Sequence, residues 1–212
     1  MEQKKIEETL DAIKEASKNR KFKQSVDLVI TLKKTSPKEN IQIDTLISPP
    51  NPVRTSKVCA LVDKDMYMRA KAVFDNTINR EDFDKYDKKK IKKLSREYDF
   101  FVGEAGIMPQ IAAKFGKQLT GIGKMPNPKT NTVINPETKI EELNENLRRS
   151  FRISNKKNLA ISVKIGDVDW DNSKLIENLK YVQNTLIKLL PSGESNIRRI
   201  YLKTTMGKPV SI

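Results

Sequence analysis

Apolar residues in the first 55 positions recur at two spacings, one typical of a helix and one typical of a strand. Helical spacing over 2–18 predicts an amphipathic helix. In 25–32 every second residue is apolar, which predicts a strand with one buried face, and a second strand is expected at 41–47. The prolines of 48–53 favour extended chain and oppose helix, so this segment is predicted to be a linker.

Beyond the linker, short apolar runs alternate with helical stretches. Strands are expected at 57–62 and 98–104, and helices near 64–74, 84–97 and 107–115. The glycines and prolines of 116–138 predict a segment that is mostly loop. Strands that alternate with helices are typical of a small sheet covered by helices, so the middle of the chain is predicted to be an α/β segment.

The last third of the chain has longer and more regular elements. A helix is expected from 139, followed by strands at 151–154 and 159–166, a helix over 172–190 and a strand at 197–204. Asn172 or Ser173 is predicted to cap the long helix at its N-terminus. With the helix and two strands at the front, these elements predict one α+β domain built from both ends of the chain. The α/β segment would then be an insertion.

Histidine is absent from the 212 residues, and Cys59 is the single cysteine. The lack of histidine excludes nucleophile systems that depend on it and His-bearing zinc sites. One cysteine cannot form an internal disulfide, which suits a reducing compartment. The sequence shows neither an apolar run of the ~20 residues that span a membrane nor a secretory signal, so a soluble cytoplasmic protein is expected.

Basic residues outnumber acidic ones by 41 to 27, and this net charge of +14 predicts an anionic partner, most commonly nucleic acid. The excess lies in three stretches without acids, at 18–24, 148–166 and 197–212, and the rest of the chain is balanced. The lysine run at 88–93 is the densest cluster. Its acidic neighbours favour a solvated helix face over a phosphate-binding role.

Other motifs lack residues that their chemistry needs. Glycines in 116–123 have the spacing of a phosphate loop, but Ile122 stands where the lysine of such a loop would be. Asp167, Asp169 and Asp171 alternate as in a calcium loop but without its glycine and its distal glutamate, and a helix N-terminus explains them more simply. We therefore expect no cofactor, no metal and no catalytic residue.

Two of the acid-free stretches contain groups suited to RNA. Phe22 lies between Lys21 and Lys23, so its ring could pack on a sugar or base while the cations meet phosphates; alternatively, Phe22 closes the core over the first helix. Lys203 is followed by TTMG at 204–207, whose hydroxyls and glycine backbone suit contacts to 2′-OH groups. The alternative for TTMG is an ordinary turn at the end of a strand.

Three segments resemble the universal ribosomal protein L-one family, the large-subunit protein of the mobile stalk, in its archaeal and eukaryotic-type branch. They are KFKQSVDLVITLK near the front, GKMPNPK in the middle and IRRIYLKTTMGKP at the end, in this order and spacing. The resemblance covers essentially the whole chain. It implies α/β and α+β architecture: a discontinuous two-layer α+β domain, 1–55 with 150–212, and an inserted three-layer Rossmann-like α/β domain, 56–149.

The resemblance also identifies candidate contacts. The residues expected to contact RNA, from the resemblance and from their chemistry, are Lys21, Phe22, Ser25, Lys156, Lys157, Lys164, Lys203, Thr204, Thr205, Met206 and Gly207. A bulky acidic residue at Met206 or Gly207 is expected to weaken RNA binding with little loss of fold. The chain departs from the family at 120–123, where TGIG replaces GPRG, and at 47–56, where ISPPNPVRTS replaces a glycine-rich hinge and implies a stiffer joint.

Members of this family bind a stem-loop region of large-subunit rRNA and help deacylated tRNA to leave the exit site. In bacteria and archaea they also repress their own mRNA. The resemblance implies these three RNA partners for a non-enzymatic, cytoplasmic protein that is monomeric off the ribosome and has no membrane partner. Two alternatives stay open at this point: a nucleotide-binding α/β enzyme and a general basic nucleic-acid-binding protein.

Overall fold

The computed structural model describes residues 3–17, 21–33, 43–155 and 158–212. The chain divides into two compact units: unit 1 is Met1–Val53 with Arg152–Ile212, and unit 2 is Arg54–Phe151. Unit 1 contains an antiparallel sheet with helices and unit 2 contains a parallel sheet with helices. The predicted combination of α+β and α/β architecture is confirmed.

The helices and strands have the following bounds. The helices are α1 (Gln3–Ala16), α2 (Lys64–Val73), α3 (Lys88–Glu97), α4 (Met108–Ile122), α5 (Ile140–Arg149) and α6 (Asn172–Leu189). The strands are β1 (Ser25–Leu32), β2 (Asp44–Ile47), β3 (Val58–Val62), β4 (Asn76–Asn79), β5 (Phe100–Glu104), β6 (Val133–Ile134), β7 (Phe151–Ser154), β8 (Ala160–Asp167), β9 (Ile197–Thr204) and β10 (Val210–Ser211). None of the helices in these described ranges is long and apolar enough to cross a membrane.

The main sheet of unit 1 has the strand order β10-β9-β1-β8, with β1 antiparallel to both of its neighbours. Alternate residues of β1 are buried, as the spacing predicted, because one face of the sheet packs against helices. Helix α1 contacts β9, helix α6 contacts β8, and the two helices contact each other. Both helices therefore cover the same face, which makes unit 1 a two-layer α+β structure.

The proline-rich linker is anchored to unit 1 through the side chain of Asn178 on α6, which is fully buried. Its amide nitrogen donates to the carbonyl oxygens of Asn51 (2.8 Å) and Ile165 (2.8 Å). Its amide oxygen accepts from the backbone N–H of Asn51 at 3.1 Å. A buried amide whose donors and acceptor are all used holds its partners firmly, so Asn178 fixes the end of the linker to α6 and β8.

Unit 2 has a parallel sheet of order β4-β3-β5-β6. Every residue of β3 is buried, as expected for a central strand with helices on both faces. Helix α2 contacts α5, and α3 contacts α4. The apolar stripes of α3 and α4 pack on one face of β3 and β5 around Cys59 and Phe101. Burial raises the pKa of the Cys59 thiol to about 12, so the thiol stays protonated and inert in the folded protein.

Several predicted bounds were wrong. Helix α4 continues to Ile122, so the expectation that 116–138 is mostly loop fails for its first seven residues. The apolar stripe Ile111, Phe115 and Leu119 extends the helix, and Gly123 ends it in a left-handed conformation (φ 80°) that glycine adopts without strain. Asp171, one residue before the predicted cap, is the N-cap of α6. The short strands β4, β6 and β10 were not predicted.

Candidate nucleic-acid interface

The first and last motifs meet at one end of the unit 1 sheet, because β1 begins where its antiparallel neighbour β9 ends. Val26 lies opposite Thr204 in the register of these strands. Just beyond this pair, the backbone N–H of Ser25 donates to Oγ1 of Thr205 at 3.0 Å, and the backbone N–H of Thr205 donates to the carbonyl oxygen of Ser25 at 3.1 Å. Segments 180 residues apart in sequence thus form one surface.

A chain of hydroxyl groups crosses this strand end. Ser25 Oγ donates to Oδ1 of Asp27 at 3.1 Å and lies 3.1 Å from Oγ1 of Thr205. Since the one hydroxyl proton of Ser25 is used by Asp27, Thr205 must be the donor in the bond between the two hydroxyls. Both hydroxyl protons are therefore used within the protein, and each of the two oxygens keeps one lone pair that can accept a further hydrogen bond.

The backbone of the turn after β9 has its N–H groups satisfied internally. The N–H of Met206 donates to Oε1 of Gln24 at 3.2 Å, and the N–H of Gly207 donates to the carbonyl oxygen of Thr204 at 3.1 Å. The amide nitrogen of Gln24 in turn donates to the carbonyl oxygen of Ser17 at 3.2 Å. An anion finds no free N–H at 205–207, so the turn is suited to partners that donate hydrogen bonds, such as ribose 2′-OH groups.

Two large apolar side chains are exposed beside these polar groups. Phe22 is 52% exposed and Met206 is 61% exposed. The alternative that Phe22 closes the core over the first helix is therefore wrong. Thr204, in contrast, is 1% exposed, so its side chain is buried beneath the turn and is not accessible to a ligand.

Gly207 is required by the close approach of the turn to Thr204. A Cβ atom at position 207 would lie 2.3 Å from Oγ1 of Thr204, well inside van der Waals contact. The expectation that a bulky acidic residue at Gly207 would leave the fold intact is therefore wrong. For Met206, whose side chain is largely exposed, it stays a prediction.

Lysines flank the strand end on both sides. Asp27 lies opposite Lys203 on β9 and opposite Lys164 on β8, so the three residues form a row across the sheet. Lys164 is also ion-paired with Asp167 at 2.7 Å. We call the following set the strand-end surface: Lys21, Phe22, Ser25, Lys164, Lys203, Thr205 and Met206.

A cleft of about 460 Å³ adjoins the strand-end surface. Its lining comprises Lys14, Ser17, Lys21, Phe22, Lys23, Gln24, Val168 and Asp169. Lys23 is within 3.6 Å of Asp169, but both side chains are largely exposed, so this pair contributes little to stability. Lys14 and Lys21 add further positive charge to the same side of unit 1.

The structure places most of the predicted contact residues together, with two outside the described residues. Those two are Lys156 and Lys157. Sequence reasoning missed Gln24 and Asp27, which orient the turn and the hydroxyl chain. Asp27 had a signal, since it is the one acid in the alternating strand 25–32; Gln24 had none, because its role depends on a turn 182 residues away.

The middle motif, GKMPNPK at 123–129, has a structural role in unit 2. Nζ of Lys124 donates to the carbonyl oxygens of Ser95 (2.9 Å) and Tyr98 (2.7 Å) at the C-terminal end of α3. Met125 packs against the core of unit 2. Burial lowers the pKa of the Lys124 ammonium group. Lys124 thus satisfies carbonyls that the end of a helix leaves without partners.

The cleft that would hold a nucleotide in an α/β enzyme is lined by paired charges. It has a volume of about 680 Å³ and lies beside Asp63 and Arg80, which follow β3 and β4. Asp63 accepts from the backbone N–H of Lys64 (2.9 Å) and pairs with Arg80 (3.2 Å). Its carboxylate thus occupies the helix N-terminus where a phosphate would bind. Within the described ranges, moreover, no group of three or more His, Cys, Asp or Glu side chains could hold a metal.

Comparison with known proteins identifies the family. The family described as "Ribosomal protein L1p/L10e family" matches residues 13–208. Three similar proteins are named large ribosomal subunit protein uL1. That of Nanoarchaeum equitans is 32% identical and the alignment covers 96% of this chain and 99% of that protein. That of Thermofilum pendens is 36% identical with 95% and 91% covered, and that of Thermoplasma volcanium is 33% identical with 98% and 95% covered.

All three relatives are archaeal, in agreement with the branch that the sequence predicted. They are ribosomal proteins rather than enzymes, so the prediction that this chain is not an enzyme is confirmed. The match of the family to 13–208 includes the first two motifs from which the resemblance was drawn and all but the final proline of the third. The chain belongs to the ribosomal protein L1p/L10e family.

Proposed function

We propose that this chain is a component of the large ribosomal subunit that binds rRNA of the stalk region through the strand-end surface. The observation that carries the proposal is the meeting of Ser25 with Thr205, which joins the first and last motifs into one surface. On this proposal unit 1, predicted from the sequence as 1–55 with 150–212, is the RNA-binding domain. Unit 2, predicted as 56–149, is an inserted domain.

The chemistry of the surface favours RNA over duplex DNA. The hydroxyl oxygens of the partly exposed Ser25 and the exposed Thr205 can each accept one more hydrogen bond, which the 2′-OH of ribose can donate. Phe22 and Met206 offer exposed apolar contacts to a base or a sugar, and Lys21, Lys164 and Lys203 offer positive charge to phosphates. A general basic protein would have the charge without this row of acceptors.

The finer roles rest on the family resemblance and share the same surface. We propose that the protein acts in the cytoplasm as a monomer when off the ribosome. There it would repress its own mRNA, whose leader must then compete with rRNA for the strand-end surface. On the ribosome it would help deacylated tRNA to leave the exit site.

Met206→Glu tests the proposed site. The side chain is 61% exposed, so the fold should tolerate a carboxylate that repels phosphates and removes an apolar contact. We expect affinity for a transcript of the stalk rRNA to fall at least tenfold, with an unchanged melting temperature. The own-mRNA leader should lose affinity in parallel.

Met68→Glu is the matched control, because Met68 on α2 of unit 2 is 76% exposed. It adds the same charge and should leave both affinities within about twofold, a range that corresponds to less than half a kcal/mol. If both variants bound equally well, the proposed site would be wrong. If duplex DNA of the same length competed as well as the transcript, the protein would be a general basic binder.

A further inference from the structure

The unit 1 sheet has a second face, which its two helices leave open. On β1 the residues that face α1 and α6 are buried, whereas Ser25, Asp27, Val29 and Thr31 on the other face are partly exposed. The same alternation holds in β9 from Ile200 to Thr204 and in most of β8. This open face begins at the strand-end surface and runs along β1 away from it.

Cross-strand register defines three rows of side chains on the open face. The first row is Lys203, Asp27 and Lys164, the second is Tyr201, Val29 and Ser162, and the third is Arg199, Thr31 and Ala160. Residues directly opposite on neighbouring strands lie about 5 Å apart, so each row is a line of contacting side chains. On the β10 side, Ser211 continues the second row beside Tyr201.

The rows place an apolar centre between cations. Tyr201 is partly exposed and lies next to Val29, a flat apolar pair on which a base or a ribose can pack. Arg199 is exposed at the far end, and Lys164 and Lys203 lie at the near end. These three cations face two carboxylates, that of Asp27 and that of Asp167, which pairs with Lys164. One positive charge remains in excess, so the open face is positive overall and complementary to a nucleic-acid backbone.

We propose that the RNA-binding surface continues along this open face, where Tyr201 packs against a base or ribose and Arg199 contacts a phosphate. The inference rests on the proposed function, because the occupant is the RNA already bound at the strand end. Continuity with that surface and the charge of the face both favour RNA. From Thr205 to Arg199 the strand covers about 20 Å, so the contact would extend well beyond the turn.

Paired substitutions test the extension in the full-length chain. Tyr201→Leu keeps an apolar side chain but removes the ring, and its control is Tyr181→Leu on α6, which covers the opposite face and is 39% exposed there. Arg199→Gln removes the distal charge, and its control is Lys188→Gln, also exposed on α6. The probe is a transcript of the stalk rRNA, titrated over a range of salt concentrations.

The two substitutions should have different signatures. We expect Tyr201→Leu to weaken binding roughly 5- to 100-fold with an unchanged salt dependence, as for loss of one stacked ring. Arg199→Gln should lower the slope of log affinity against log salt by roughly 0.7–0.9, as for loss of one phosphate contact. Both controls should stay within about twofold of the unmodified protein, less than half a kcal/mol in binding free energy.

Photocrosslinking separates a contact from an indirect effect of folding. With p-benzoylphenylalanine in place of Tyr201, the protein should crosslink to the transcript, and with it in place of Tyr181 it should not. Absence of a crosslink at 201, together with normal affinity of Tyr201→Leu and Arg199→Gln, would overturn the inference. If Met206→Glu still abolished binding in that case, the proposed function would stand; if the unmodified protein did not bind, both would fail.

Discussion

Gly207 shows how one atom can decide the shape of a binding turn. The 2.3 Å separation between a Cβ at this position and Oγ1 of Thr204 means that Thr204 would have to rotate. That rotation would occur in a site where Thr204 is 1% exposed. We expect Gly207→Ala to lower the free energy of unfolding by about 1–3 kcal/mol, as for overpacking of a buried site, measured by urea denaturation.

Gly116→Ala is the control for this substitution. A Cβ at Gly116 meets nothing within 4 Å, and the residue lies inside α4. Alanine should therefore stabilise the protein by about 0.5–1 kcal/mol, because glycine has a higher entropic cost in a helix. Equal effects of the two substitutions would contradict the role assigned to the turn.

The sequence identified a residue of the candidate site only where its role does not depend on contact with a distant segment of the chain. Phe22 between two lysines and Met206 before a glycine are visible in the sequence, and the structure exposes both. Gln24 and the direction of the hydroxyl bonds were not predictable, because they depend on contacts between segments about 180 residues apart. The need for glycine at position 207 was likewise not predictable, because it depends on how closely the turn approaches the side chain of Thr204.

Among the elements, the strands with clear alternation were predicted best. The strands at 25–32 and 197–204 have the predicted bounds, because one face of each is buried. Buried residues alternate along the whole of β1 and from Ile200 to Thr204 in β9. Helix α4 was cut short in the prediction, since Gly116 and Gly121 suggested a loop. Tertiary packing of Phe115 and Leu119 outweighs the low helix propensity of those glycines.

Lys124, which follows α4, is hydrogen-bonded to the C-terminal end of α3, so its replacement should lower the stability of the protein. In Lys124→Met the carbonyls of Ser95 and Tyr98 lose a charged donor at the end of α3. We expect the free energy of unfolding to fall by about 1–3 kcal/mol, as for loss of hydrogen bonds from a charged group, measured by thermal or urea unfolding. Affinity for stalk rRNA should not change below the melting transition.

Lys129→Met, in the same motif, supplies the comparison. The residue is exposed at a surface turn, where its backbone N–H donates to Oδ1 of Asn127 at 3.0 Å. Its side chain should therefore be replaceable at a cost within about 0.5 kcal/mol. If Lys124→Met bound RNA more weakly at a temperature where the variant is fully folded, the middle motif would instead belong to the RNA interface.

At the scale of the whole molecule, net charge does not select one unit as the RNA-binding domain. Unit 1 has 21 basic and 13 acidic residues, and unit 2 has 20 and 14. The acid-free stretches pointed to the two ends of the chain, and the fold brings residues of all three together at the strand end. Location of charge therefore depends on strand pairing, which composition cannot reveal.

The lysines of α3 test most strongly whether the location of charge matters more than its amount, because they are the densest charge cluster in the sequence. Lys88, Lys89, Lys92 and Lys93 are all exposed. Nearby, Asp82 is paired with Lys85 and Asp84 with Lys114, so acids and bases are interleaved around the start of the helix. A mixed field of this kind attracts a polyanion weakly and is screened beyond about 10 Å at 0.1 M salt.

Replacing those four lysines with glutamine should leave affinity for stalk rRNA within about threefold and change the salt slope little. Lys164→Gln combined with Lys203→Gln removes half as many charges, yet it should lower the slope by roughly 1.4–1.8, since each lysine is expected to meet a phosphate. Titration of both variants against the same transcript decides the matter, with melting curves to verify folding. A larger slope change for the α3 variant would place the rRNA on unit 2, because the slope counts contacts that form and ignores charges that stay in solvent.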